Sequence, residues 1–487
     1  MTKYLPGEES RVLDSDIRRL ATRKNLTYII DGWEDRLGRS VYGSIVSEVG
    51  HHPVILGLED MTGRRANADA MRDVSQVSLT KKSVDISQIL CVCTDNPTTM
   101  RAFRRKWETA HPHLLTIPCF MHGINTIIGK VVAYPAMKRI ASQNARIVSF
   151  FNSSHYWGGQ VDMLAHETGV KRSMKTNTES RFYALVLQCM STRDHRDVLK
   201  RIAIRDDAQR SIRGLSPVNK DVLAFIMDSS HWLQNDQLIR ITRPLVDIIG
   251  NIEGRDANLA DCMLELIWAH REVNRRLAYE EGDDIGFLSH TRRTLNDQFH
   301  AMNTDLHWFA LFLHPLCRRL AVSSASHSRN ITAAVSIALG IAYKWRWTKT
   351  QTQKLITDIK NYGIVKDSFG GAKADGKAWW EELVVDAREH PLKTMAVRIL
   401  TIVPHAADVE RLFSSLGGIQ SVRRSQLTIP HMETLGALRN YYNAELHDLT
   451  VKMGKQTRRR HAHMHTRDEP GVDAARAQEL LASFVWT

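Results

Sequence analysis

The segments of this chain that can form β-strands lie within its first 135 residues. Residues 26–60 hold three short runs rich in β-branched and aromatic side chains, separated by Gly and Asp, which predicts an antiparallel meander. Residues 86–95 are almost wholly apolar, a pattern typical of a strand buried on both faces. Helical segments at 67–79 and after Pro97 alternate with these strands, and residues 114–132 predict one further strand and helix. We therefore expect an α/β layer at this end of the chain.

The rest of the chain has the pattern of an all-helical protein. Apolar residues recur at helical spacing, Gly and Pro are sparse, and clusters of Ser, Gly and Asp mark loops. The expected division is a basic amino-terminal segment (1–24), an α/β part (25–135), an all-α block (136–378), a helical carboxy-terminal part (379–445) and a basic, His-rich tail (446–487).

Charge and cysteine content narrow the class of protein. The formal net charge is +13, and excess Lys and Arg favour a polyanionic partner, with nucleic acid the leading candidate. Basic runs at 18–24, 104–106 and 458–460 could follow phosphates, and the last could serve nuclear import. Six scattered cysteines predict buried thiols in a reducing compartment. With no apolar run of membrane-spanning length, we expect a soluble protein of the cytosolic and nuclear side.

One acidic residue stands out in the carboxy-terminal part. Glu410 lies among apolar residues of a predicted helix, and a buried carboxylate is costly unless it meets a cation or a metal ion. Nearby cations that could pair with it are Arg411, Arg423 and Arg424. The residues alone leave both possibilities open: an ion pair, or ligation of a metal.

Two further acids end apolar elements. Asp31 ends the first predicted strand and Asp95 the fourth, so both could converge on one edge of the sheet. With Glu410 they would form a three-carboxylate cluster, which can bind two divalent cations for displacement at phosphorus. Oxygen ligands suit Mg²⁺ or Mn²⁺. Singly, each aspartate is better explained as a turn or cap residue.

Four sequence motifs carry a resemblance to a known family. The chain resembles transposases of the hAT superfamily, in particular the fungal hAT-like proteins. The matching segments fall within residues 25–131 and 379–443, and they are specific only as a set. They are TYIIDGWEDRLGRSVYG, CVCTDNPTTMRAF, HPHLLTIPCFMHGINTIIGKVV and WWEELVVDAREHPLKTMAVRILTIVPHAADVERLFSSLGGIQSVRRSQL.

The resemblance implies both a fold and an activity. The fold would be a ribonuclease H-like mixed sheet, interrupted by a large all-α insertion and closed by carboxy-terminal helices. Asp31, Asp95 and Glu410 would be the DDE triad that holds two Mg²⁺ or Mn²⁺ ions for DNA cleavage and transfer. The family is nuclear and dimerises through its carboxy-terminal region, so a homodimer or higher homo-oligomer is implied. Arg423 and Arg424 would then contact DNA phosphate or the dimer partner.

A Cys-x-x-His motif lies beside the predicted site. In the resemblance it is Cys119 and His122, and His122 could hydrogen-bond the scissile phosphate or position the nucleophile. A zinc site formed by Cys91, Cys93, Cys119 and His122 is the alternative. Zinc is not expected, because this spacing lacks the usual paired Cys/His knuckles.

The family also carries a base-stacking motif early in its insertion. The matching residues are Arg181 and Phe182, the latter where the family has tryptophan, and a phenyl ring can still stack on a flipped base. Trp157 is a second candidate for stacking. The alternative for Phe182 is a place on the core face of a helix.

The amino-terminal segment departs from the family pattern. Full-length members usually carry a zinc-binding BED finger there, whereas no Cys/His array precedes Asp31. A truncated copy, a lineage that lost the finger and a host-adopted derivative all fit this pattern. The rival to an active enzyme is thus a catalytically inactive hAT-derived protein that binds DNA and dimerises.

Overall fold

The computed structural model describes residues 5–177, 182–212, 214–322, 328–420, 427–454, 471–484 and 486. These residues form a mixed α/β protein that is mostly helical, with one small five-stranded sheet. Within these ranges, every helix is too short or too polar to cross a lipid bilayer.

The sheet has the strand order β3-β2-β1-β4-β5. Its first three strands are antiparallel, whereas β4 is parallel to β1 and β5 is parallel to β4. Every residue of β4 is buried, as the apolar run predicted. The strands are β1 (Leu26–Glu34), β2 (Ser40–Ser47), β3 (Val54–Asp60), β4 (Ile89–Thr94) and β5 (Leu115–Pro118).

Helices cover both faces of this sheet. On one face, Phe103 and Trp107 pack against Tyr28 and Ile30 of β1, and on the other Ile29 belongs to the main core of the molecule. The helices of this part are α1 (Leu5–Ala21), α2 (Ala68–Lys81), α3 (Thr98–Ala110) and α4 (Phe120–Val132), with a short 3₁₀ turn at Ile86–Gln88. The predicted strands and helices of the α/β part are thus confirmed.

The predicted end of the first strand is wrong. β1 continues beyond Asp31 to Glu34, because it keeps its pairing with β2 after β4 has ended. The parallel pairing of β1 with β4 stops at Ile30 and Thr94. Asp31 and Asp95 each come one residue after this last pair, so they are neighbours at the point where β1 and β4 separate.

The middle of the chain is helical, as predicted, and among the described residues its β-structure is limited to an isolated bridge between Ile212 and Leu215. Its helices are α5 (Pro135–Ser153), α6 (His155–Glu167), α7 (Phe182–Asp194), α8 (Arg196–Ala203), α9 (Asp206–Gln209), α10 (Lys220–Met227), α11 (Ser229–Ile252), α12 (Leu259–Arg276), α13 (Ile285–Met302), α14 (Asp305–Leu313), α15 (Arg318–Ala321), α16 (Ile331–Lys344), α17 (Lys349–Gly363) and α18 (Gly376–Glu382), with a 3₁₀ turn at Asp367–Phe369.

Four helices complete the described chain: α19 (Pro391–Leu400), α20 (Ala407–Ile419), α21 (Ile429–Lys452) and α22 (Ala474–Ser483). The segment before α20 returns to the sheet. The Val403 amide donates to Thr27 Oγ1 (3.0 Å), and the Phe120 amide donates to the Pro404 carbonyl (2.9 Å). These bonds fix the start of α20 against β1 and the start of α4.

The α20 helix packs on β1 and β2. Gly43 of β2 permits this close approach, because a Cβ there would lie 2.8 Å from the Phe413 ring. At the carboxyl end of the helix, the Gln420 amide donates to the buried Asp35 carboxylate (3.0 Å) at the β1–β2 turn. The helix that carries Glu410 is therefore held at both ends to the edge of the sheet.

Candidate functional site

Acids that are far apart in the sequence line one cavity. This cavity has a volume of about 610 Å³ and lies where β1 and β4 separate, with α4 and α20 as further walls. We call it the acid cavity. Its lining includes four predicted site residues, and the full set is Asp31, Gly32, Trp33, Glu34, Asp95, Met121, His122, Asn125, Tyr183, Ile249, Glu410, Phe413, Ser414 and Gly417.

The two aspartates lie close to a shared neighbour. Asp31 Oδ1 accepts a hydrogen bond from the Gly32 amide (2.9 Å). Burial raises the pKa of the Tyr42 phenol, and the negative charges of Asp95 and Asp31 raise it further. Tyr42 pairs with Gly32 in the β1–β2 ladder, one residue along from Asp31.

Asp95 has an oxygen atom without a hydrogen-bond partner. Its Oδ1 is buried and meets no donor within the described residues. Burial raises the pKa of the Asp95 carboxyl, although the charges of His122 and Arg104 oppose this shift. A buried polar atom without a partner is costly, and a bound cation would satisfy it. The donor chemistry of the acid cavity thus fits a hard divalent ion.

Arg104 holds the loop that carries Asp95. Its guanidinium donates to the Asp95 carbonyl (2.7 Å) and to Asn96 Oδ1 (2.6 Å). Burial lowers the pKa of Arg104, and the Asp95 carboxylate opposes this shift. The prediction that the 104–106 run follows phosphates is therefore wrong for Arg104, which is buried and has a structural role.

The carboxylates do not form a closed cluster. Across the ranges that the structure describes, no three His, Cys, Asp or Glu side chains lie close enough together to hold one metal ion. The three predicted ligands line one cavity, but they are not close enough together to hold one metal ion. Like charges repel at short range, so the three carboxylates would come closer together only with a cation bound between them.

The buried acid of α20 is Asp408, two residues before Glu410. Asp408 is 8% exposed, whereas Glu410 is only partly buried. The prediction that Glu410 is the buried acid of this helix is therefore wrong. Asp408 Oδ1 meets Arg411 Nη1 (2.7 Å) and Arg255 Nη2 (3.0 Å). Burial alone would raise the pKa of Asp408, but the two guanidinium groups lower it to about 2.

These residues form an ion cluster that joins three parts of the fold, and we call it the Asp408 cluster. Arg255 lies in the turn between α11 and α12, and its Nη1 contacts His52 Nε2 (2.7 Å) in the β2–β3 loop. Arg411 also donates to the Glu253 carbonyl. These contacts bind the first turn of α20 to the helical block. The spacing of Asp408 and Arg411, three residues apart on a helix, was a signal available in the sequence.

The Asp408 cluster predicts acid sensitivity. Burial lowers the pKa of His52 from 6.5 to about 4, and the charges of Arg255 and His447 act in the same direction. The charges of Asp408 and Asp448 oppose this shift. Because the unfolded chain binds this proton more readily, stability should fall as the pH drops from 6.5 to 4. The pKa of Asp408 is depressed instead, so its contribution is present above 3.8 and is lost as the pH falls towards 2.

Urea denaturation over this pH range checks the prediction. In the His52→Gln variant, which cannot take up the proton, the loss of stability between pH 6.5 and 4 should be smaller than in the wild type. Equal losses in the two proteins would show that His52 is not the group that titrates.

The Cys-x-x-His residues separate in the structure. Cys119 is buried, and its Sγ accepts a hydrogen bond from the Ala406 amide (3.3 Å), which links β5 to the start of α20. His122 is exposed on the first turn of α4 and lines the acid cavity. All six cysteines are free and buried, which confirms the prediction of buried thiols.

The predicted base-stacking residues have different surroundings. Trp157 is 2% exposed and its indole N–H donates to the Ser216 carbonyl (3.1 Å), so it is a core residue and the prediction that it stacks on a base is wrong. Phe182 is 47% exposed at the start of α7, with its ring against Gly129 of α4. Arg181, Arg423 and Arg424 lie outside the described residues.

Sequence comparison adds no assignment to this geometry. No protein-family model matches the chain, and no curated protein matches it. The function therefore has to be inferred from the quoted motifs and from the site itself.

Proposed function

We propose that this chain is a hAT-like DNA transposase core, which cleaves and joins DNA strands with Mg²⁺ or Mn²⁺ held by Asp31, Asp95 and Glu410. One observation carries the proposal: these three acids, from β1, the end of β4 and α20, line the same cavity. The buried, unpartnered Oδ1 of Asp95 supports a cation there. An ordinary structural role for the three acids would not require them to line one cavity.

The order of the elements supports the finer fold assignment. An antiparallel meander followed by two parallel strands is the arrangement on which the resemblance to a ribonuclease H-like sheet rests. A long helical block then separates β5 from α20, as the proposed insertion requires. We therefore assign 25–135 and 379–445 to one split catalytic domain.

The chemistry follows from the placement of the residues. Two divalent ions, when bound, would activate the attacking oxygen and stabilise the leaving oxygen of an in-line displacement at phosphorus. The carboxylates of Asp31 and Asp95 supply negative charge at the edge of the sheet, and Glu410 adds a third carboxylate from α20. His122, which is exposed and lines the same cavity as Asp95, would donate a hydrogen bond to the phosphate.

The direct test is incubation of the purified protein with DNA that carries the two ends of the transposable element in which its gene would lie. We expect nicking and strand joining with Mg²⁺ or Mn²⁺, and neither with Ca²⁺ or a chelator, since Ca²⁺ binds oxygen ligands with looser geometry. Binding without cleavage under all conditions would contradict the enzymatic proposal.

That negative outcome would favour the second candidate, a nuclear DNA-binding and dimerisation protein derived from a transposase. One observation favours it: in the described part of the chain, no three potential ligands are already close enough to share a metal ion. The net charge of +13 fits DNA binding in either case.

A homodimer is also part of the proposal. The carboxy-terminal half of α21, with the residue that follows it, exposes a run of large side chains, whereas most of the buried side chains of the helix lie in its amino-terminal half. Such apolar patches mark interaction surfaces. The exposed residues are Tyr442, Leu446, Leu449, Val451 and Met453.

Charge placed on this surface should separate the subunits. The double variant Leu446→Glu and Leu449→Glu is expected to be monomeric in light scattering, because two buried carboxylates would be costly at the interface. Leu481→Glu, at an exposed leucine of α22, is the matched control and should leave the oligomer intact. An unchanged mass for the double variant would place the interface elsewhere.

A further inference from the structure

A second cavity adjoins the acid cavity. It has a volume of about 540 Å³ and shares the wall residues Tyr183, Glu410 and Ser414 with the acid cavity. We call it the basic cavity. Its charged and amide lining residues are Lys175, Glu253, Arg255, Asp408, Glu410, Arg411, Arg439, Asn440 and Asn443.

The basic cavity has a surplus of hydrogen-bond donors. Asp408 is shared by two guanidinium groups, so the Asp408 cluster retains a positive charge. Arg439 is exposed on α21, and no acidic partner for it lies within the described residues. The hydroxyl of Ser415 is buried without a hydrogen-bond partner among the groups that the structure describes.

Two acids oppose this charge. Glu253 and Glu410 also line the basic cavity. Glu410 would be drawn to cations on the acid side, and the Glu253 charge favours the protonated form of Arg411. The side of the cavity formed by α21, with Arg439, Asn440 and Asn443, carries a positive charge and no acid of its own in the lining.

We propose that the basic cavity binds the phosphodiester backbone of the DNA strand next to the phosphate that is cut in the acid cavity. Arginine and amide donors are the groups that bind backbone phosphates, and they position a strand without reading its sequence. The shared wall would let one strand pass from the basic cavity to the carboxylates. This inference rests on the proposed function for the identity of the neighbouring site, but binding can be measured separately from cleavage.

The test uses the Arg439→Ala variant of the full chain and a fluorescent DNA duplex with a single-stranded end. Arg439 is exposed and outside the Asp408 cluster, so the variant should fold normally. Anisotropy is measured in a chelator at several salt concentrations, so neither metal binding nor cleavage affects the result. The matched control is Arg388→Ala, at an exposed arginine that lines neither cavity.

Loss of one phosphate contact should weaken binding roughly 5-fold and lower the slope of log K against log salt by about 0.9. The control should match the wild type in both. Ethylation interference should then show a backbone position beside the cut whose modification weakens the wild type but not Arg439→Ala. Wild-type affinity and slope in Arg439→Ala would overturn the inference. If Arg439→Ala shows the expected loss of binding but the wild type cuts no DNA, the result would count only against the catalytic proposal.

Discussion

Replacing Asp95 by asparagine should reduce metal-dependent DNA cleavage by at least about 1000-fold, since residues that act together in one catalytic unit fail together. Asparagine keeps the size of the side chain but removes the charge that would hold a cation at the buried Oδ1. DNA affinity in a chelator should stay near the wild-type value. The measurement is the rate of strand nicking in saturating Mn²⁺.

The acid cavity offers a matched control for this variant. Glu34 lines the same cavity and is exposed, but it is not a proposed ligand, so Glu34→Gln should keep cleavage within about 10-fold of the wild type. Asp31→Asn and Glu410→Gln should match Asp95→Asn, and double variants should be no worse than single ones. Substantial cleavage by Asp95→Asn would remove it from the catalytic site.

The Asp408→Ala variant should lose about 3 kcal/mol of unfolding free energy, because it leaves the guanidinium groups of Arg255 and Arg411 without their shared counter-charge. The loss should appear in urea denaturation at neutral pH, where the Asp408 carboxylate is ionised. Asp162→Ala, at an exposed acid of α6, is the control and should change stability by less than about 0.5 kcal/mol.

This prediction separates a structural role from a catalytic one. Asp408 positions α20 and touches no proposed metal ion, so its loss should lower stability first and activity through the displacement of Glu410. The catalytic variants should show the reverse, with activity lost and stability kept. A loss below about 1 kcal/mol for Asp408→Ala would mean that the Asp408 cluster is not holding the helix.

Local patterns were sufficient to predict most elements of the α/β part. Alternating and continuous apolar runs marked β1 to β5, because burial on one or both faces leaves a direct trace in sequence. The placement of Asp31 and Asp95 side by side also followed, since parallel strands bring equivalent ends to one edge. The far end of β1 was missed because its pairing with β2 outlasts its pairing with β4.

Long-range contacts were beyond the reach of sequence patterns. Asp408 and Glu410 lie on one helix, and the contact of Asp408 with Arg255 of the helical block could not be predicted from local patterns. Both Trp157 and Phe182 were candidates for base stacking, yet Trp157 is in a core and Phe182 is half exposed. The basic segment before β1 is a helix that packs on α21, through contacts between parts of the chain that are far apart in the sequence.

The proposed activity requires that Asp31, Asp95 and Glu410 ligate the same divalent ions. Anomalous diffraction from crystals soaked in Mn²⁺ tests this directly, with Asp95→Asn crystals as the reference. We expect a manganese peak bound jointly by Asp31 and Asp95, with Glu410 in direct or water-bridged contact, and the loss of this peak in the variant. A Mn²⁺-soaked wild-type crystal with no peak in the acid cavity, or with the peak away from these three acids, would contradict it.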